Sequence, residues 1–196
     1  MNVYIFVNDK MSVTFLLFLL LLLIIIGLVY NSRHSAGTYT YFIHESKLDK
    51  DFKRTVSDIL ENSDWKRYHK VKEVEKLPAN IDIKLVDRKM LNYTDDATYP
   101  NGDLVYYSET QYRGKDKHIH IDSKNWLHGV KESNLSVDDY RKYVINHEFG
   151  HALGYDHQTC SNGSCPVMYQ ATKGCYDGNV CKVQPTDIDL TNKLYL

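Results

Sequence analysis

His147 and His151 stand four residues apart, Glu148 directly follows the first, and the run continues Phe149-Gly150-His151-Ala152-Leu153-Gly154-Tyr155-Asp156-His157. On a helix, residues i and i+4 project from one face, so both imidazoles can grip a single ion. Glu148 is rotated by about 100° from His147 on a helical period. That puts its carboxylate beside an ion rather than on it, where it suits a general base taking a proton from a water that the metal activates. Gly154 adopts the left-handed conformation without steric cost, so the chain can leave the helix sharply and return His157 as a third ligand. Three neutral imidazoles leave the fourth position of a tetrahedral zinc open, as in catalytic rather than closed structural sites. The expected cofactor is therefore one zinc ion on His147, His151 and His157, with Glu148 as the catalytic residue. A histidine pair at this spacing is common by itself; Glu148, Gly154 and His157 together make the pattern specific.

These residues resemble the metzincin superfamily of zinc peptidases. That superfamily carries a tight turn containing methionine beneath the metal, and Cys165-Pro166-Val167-Met168-Tyr169 follows His157 at a suitable distance. The resemblance thus implies that Met168 is the Met-turn residue. It implies a small metzincin-like catalytic domain, closest to a little-characterised secreted branch with a cysteine-rich segment around that turn. Two features depart from the wider pattern. Where some members have a metal-reaching tyrosine two residues after the methionine, this chain has Gln170, and Tyr169 is one residue early. No cysteine precedes Cys160, so latency by a propeptide cysteine is not expected, and the short linker leaves no room for a prodomain.

The ligands need a helix, and Ser136-Val137-Asp138-Asp139 opens one in the manner of a capping box, running to about Leu153 with Tyr140 and Val144 on the ligand stripe. Upstream, Thr38–His44 is β-branched and aromatic and reads as the first strand. Leu48, Phe52, Val56 and Ile59 recur at helical spacing within Lys47–Glu61. Further strands are expected at Tyr68–Val74, Ile81–Val86, Leu104–Ser108 and His118–Asp122, with a loop from Asn92 to Gly102 and a short final helix from Pro185. The order predicts an α/β (α+β) domain, a mixed twisted sheet with helices, at residues 38–196. His118 and His120 alternate on one strand face and offer either a metal pair or, as we read them, a polar sheet face.

Val13 to Val29 is a run of seventeen uncharged residues dominated by Leu and Ile. As a helix it would span roughly 26 Å, close to the hydrocarbon thickness of a bilayer. Gly27-Leu28-Val29-Tyr30-Asn31-Ser32 lacks a small-x-small cleavage site, so residues 13–30 read as an uncleaved transmembrane signal anchor. A short segment, 1–12, precedes it, and a linker, 31–37, follows. A cleaved leader, giving a secreted protein, is the alternative. Cys160, Cys165, Cys175 and Cys181 are even in number and suggest two disulfides in an oxidising compartment, with three connectivities open. Sequons at Asn92, Asn134 and Asn162 permit glycosylation.

A formal net charge of -1 gives no electrostatic case for nucleic acid as a partner. The expected partners are a peptide or protein substrate and, through residues 13–30, a membrane. The expected function is a membrane-anchored zinc endopeptidase, in which an extended substrate pairs with an edge strand such as Leu104–Ser108. Pocket walls are expected from Gln170 to Val180. The competing reading is a non-catalytic, zinc-stabilised ectodomain for binding or adhesion.

Overall fold

The computed structural model describes residues 15, 17–24, 37–91, 108–160, 164–170 and 182–183. Contacts divide the chain into two units, Met1–Gly37 and Thr38–Leu196. In the first, residues 17–24 are helical. No helix among the described residues is long and apolar enough to cross a membrane; half of the span expected at 13–30 lies outside them.

The second unit runs β1 (Tyr39–Ile43), α1 (Phe52–Glu61), α2 (Trp65–Tyr68), β2 (Val71–Glu73), β3 (Ile81–Val86), β4 (Glu109–Arg113), β5 (Asp116–Asp122), α3 (Ser123–His128) and α4 (Val137–Ala152). A two-residue strand, β6 (Ser164–Cys165), pairs in parallel with β7 (Lys182–Val183). The main sheet has the order β2-β1-β3-β5-β4. Its first four strands are parallel, and β4 runs antiparallel to β5. This is the mixed α/β sheet that the element order predicts.

Period-two alternation decides the two sheet faces. Tyr41, Ile43, Ile81, Ile83, Ile119 and Ile121 form the buried face and join Phe52, Val56 and Leu60 of α1 and Tyr140, Val144 and Phe149 of α4 in one core. The alternate positions Phe42, Asp82 and His118 are cross-strand neighbours on the other face, as are Lys84 and His120. His118 Nδ1 lies 2.7 Å from Asp82 Oδ1, and His120 lies 3.7 Å from Glu109. The two histidines therefore belong to a polar sheet face.

Two elements, α1 and β2, begin three residues or more later than the sequence expectation. Helix α1 begins at Phe52 rather than Lys47, although the apolar spacing is right. Tyr68 closes α2, so β2 is shorter than Tyr68–Val74. Among the described residues, the sheet edge beside β5 is β4, Glu109–Arg113; of the strand expected at Leu104–Ser108, Ser108 alone is described, and the rest lies outside the described residues. The final helix from Pro185 lies outside the described residues.

Candidate metal centre

Helix α4 carries the candidate site, and its start is capped as expected: Ser136 Oγ accepts from Asp139 N–H at 3.2 Å. At its other end, Tyr155 N–H donates to Gly150 O at 3.0 Å, and Gly154 sits at φ 94°, a backbone conformation that L side chains rarely adopt. The chain turns there and brings His157 back towards the helix.

The three imidazoles converge. His151 Nε2 lies 3.2 Å from His147 Nε2 and 3.1 Å from His157 Nε2. His147 Nδ1 lies 2.8 Å from Val167 O, and His151 Nδ1 lies 2.8 Å from Tyr155 O. A carbonyl only accepts, so in both rings the proton resides on Nδ1 and Nε2 presents a lone pair. The His147 and His151 lone pairs thus face one another and repel, so their contact is not a hydrogen bond between the rings. The spacing suits a ligand set: a tetrahedral ion at about 2.05 Å from each nitrogen holds the nitrogens about 3.3 Å apart. Burial lowers the His147 imidazole well below its ordinary pKa, and burial also lowers that of His151. Both are thus neutral at pH 7, the form that ligates. His147, His151 and His157 could hold a metal ion, and the donor chemistry fits one.

Glu148 lies in the same cleft, of about 270 Å³, with Thr110, Tyr112 and Gln170 also in its walls. Burial pushes its carboxyl up to about 7, against the opposing hydrogen bond from Thr110. A cation on the histidines would pull it down again. The Thr110 hydroxyl lies 2.8 Å from Glu148 Oε2, and Tyr112 Oη donates to His151 O at 2.7 Å.

Met168 is fully buried in a turn closed by Tyr169 N–H donating to Pro166 O at 3.0 Å. It packs against Gly150, where a Cβ would run into Met168 Sδ and lie 2.7 Å from Trp65 Cζ2. The turn is tied to α4 by the His147–Val167 bond and by Tyr143 Oη donating to Tyr169 O at 2.8 Å. Cys160 and Cys165 form a disulfide, and Gln158 N–H donates to Met168 O at 3.1 Å. These links join the His157 loop to the methionine turn. Cys175, Cys181 and the pocket segment after Gln170 lie outside the described residues.

Sequence reading missed the groups that position the site from elsewhere in the chain. Trp65 Nε1–H donates to Asn146 O at 2.9 Å, next to His147 in the chain. His69 Nε2 lies 3.0 Å from Tyr155 Oη, behind the turn that returns His157. Thr110 and Tyr112 come from β4. The alternation of Thr110 and Tyr112 was a usable signal for their strand; nothing local marked Trp65 or His69.

The family model described as "Protein of unknown function (DUF3152)" matches residues 48–194. No curated protein matches the chain. The match covers most of the chain, and the chain belongs to that family.

Proposed function

We propose that this member of the DUF3152 family is a zinc-dependent endopeptidase of the metzincin type, held at a membrane through residues 13–30 with residues 38–196 outside the cytosol. The observation that carries the proposal is the convergence of three imidazoles, His151 Nε2 lying 3.2 Å from His147 Nε2 and 3.1 Å from His157 Nε2, in one cleft with the buried Glu148 carboxyl. Zinc bound there supplies a Lewis acid that lowers the pKa of a water to about 7 and polarises a scissile carbonyl.

The chain's own residues do the rest. The Nδ1–H bonds to Val167 O and Tyr155 O orient the His147 and His151 rings and keep their Nε2 atoms available. Glu148 takes a proton from the attacking water and passes it to the leaving amine. Met168, buried beneath α4, supports the ligand helix from below. An extended peptide would add to the edge strand β4, Glu109–Arg113, by main-chain hydrogen bonds. The Cys160–Cys165 disulfide supports an oxidising compartment for the domain.

The test is cleavage of a peptide library by the zinc-loaded chain, with and without a chelator. We expect chelator-sensitive cleavage. Glu148→Gln is expected to keep zinc and lose about 10²- to 10⁴-fold in kcat, whereas His151→Ala loses zinc and cleavage together. Full activity in the Glu148 variant would remove it as the base. Zinc binding with no cleavage of any peptide would favour the non-catalytic, zinc-stabilised ectodomain instead.

A further inference from the structure

A glutamate on a helix has three side-chain torsions, and a base works only when its carboxylate is held where the proton will be. What holds Glu148 comes from another element. Thr110 lies on β4, 38 residues earlier in the chain, and its Oγ1 is 2.8 Å from Glu148 Oε2 and 3.0 Å from Glu148 O. The hydroxyl has a single proton, and the carboxylate is the stronger acceptor of the two. Two residues along, on the same face of β4, Tyr112 donates to His151 O at 2.7 Å. Hydroxyls at i and i+2 of the strand thus engage adjacent turns of the helix that bears the base and the second ligand.

We propose that Thr110 is a positioning residue for Glu148: its hydroxyl engages Oε2, fixes the carboxylate plane and leaves Oε1 to take the proton. This inference rests on the peptidase reading and deepens it. β4 is one edge of the sheet among the described residues, and in that reading it is the strand along which substrate lies. A peptide pairing with β4 is then coupled to the base through one side chain. A merely structural role, tying strand to helix, would be felt in folding and metal content rather than in turnover.

The experiment compares Thr110→Val and Thr110→Ser with the wild-type zinc-loaded full chain, using the library peptide that the wild type cleaves best. Zinc content, thermal midpoint, kcat and KM are measured, together with the affinity for acetohydroxamic acid, a small zinc-binding probe whose proton a neighbouring base must accept. Thr110→Val is expected to retain zinc and midpoint, to lose about 10- to 100-fold in kcat with KM within about 2-fold, and to bind acetohydroxamic acid about 10-fold more weakly. Thr110→Ser, which keeps the hydroxyl, is expected to recover kcat to within about 3-fold. A valine variant with wild-type kcat and probe affinity overturns the inference alone. So does a loss of kcat that follows loss of zinc or is not rescued by serine. A wild-type chain that holds zinc yet cleaves nothing overturns the peptidase reading and this inference with it.

Discussion

Gly150 occupies a helical position, where glycine is usually a liability of about 1 kcal/mol relative to alanine. Its use here is the space above it. Trp65 and Met168 fill the volume that a Cβ would need, so the methionine turn can approach the ligand helix closely enough for Val167 O to reach His147 Nδ1 at 2.8 Å. Gly150→Ala should gain in helix propensity but force the turn away, with overpacking that costs about 1–3 kcal/mol. We expect a net loss of stability in urea unfolding and weaker zinc binding in a competition titration. An alanine variant as stable and as tight as wild type would show that Met168 steps aside freely.

At the scale of elements, helix α4 positions two candidate ligands, His147 and His151, by its period alone, but the third, His157, lies beyond the helix. Residues 153–160 and 164–169 are organised by individual bonds: Tyr155 N–H to Gly150 O, Gln158 N–H to Met168 O, and the Cys160–Cys165 disulfide. A crosslink over so short a loop stabilises by about 2 kcal/mol on chain-entropy grounds, and this one closes three residues beyond His157. The double variant Cys160→Ser, Cys165→Ser should therefore lose about that much stability and bind zinc more weakly than wild type, since more of the binding energy goes into ordering the loop. Equal zinc affinity by competition with a chromogenic chelator would show that the hydrogen bonds suffice without the disulfide.

Across the described part of the domain, the sheet divides an apolar face under the helices from a polar one, and Asp82 is a buried charge on the polar side. Burial raises its carboxyl, but bonds from Lys84, His118 and His44 outweigh that and hold it below its ordinary value. A depressed folded-state value contributes stability that is fully present above the unfolded value near pH 4 and is lost as pH falls through the folded one. Asp82→Asn should thus cost about 2 kcal/mol at pH 7, and the difference from wild type should shrink as acid protonates Asp82. Guanidinium unfolding between pH 7 and pH 3 measures this. A deficit that stays constant across that range would mean that packing, not charge, is what Asp82 provides.

The features legible in the sequence are those set by local spacing. His147 and His151 are neighbours because any helix brings i and i+4 together, and Gly154 turns the chain because only its backbone conformation is required there. Strands β1, β3 and β5 and the faces of α1 and α4 follow from periods of two and 3.6, which each segment carries in itself. What the tertiary structure alone decided are the contacts that depend on register between distant segments. Thr110 meets Glu148 only because β4 lies at the sheet edge beside α4; Trp65 and Met168 meet over Gly150 only because α2 and the turn pack on the same helix. Which cysteine joins Cys160 was one of three connectivities until the chain between His157 and Met168 was folded. Periodicity determines which side of an element faces the core, but not which residue of another element waits there; that is set by the packing of the whole.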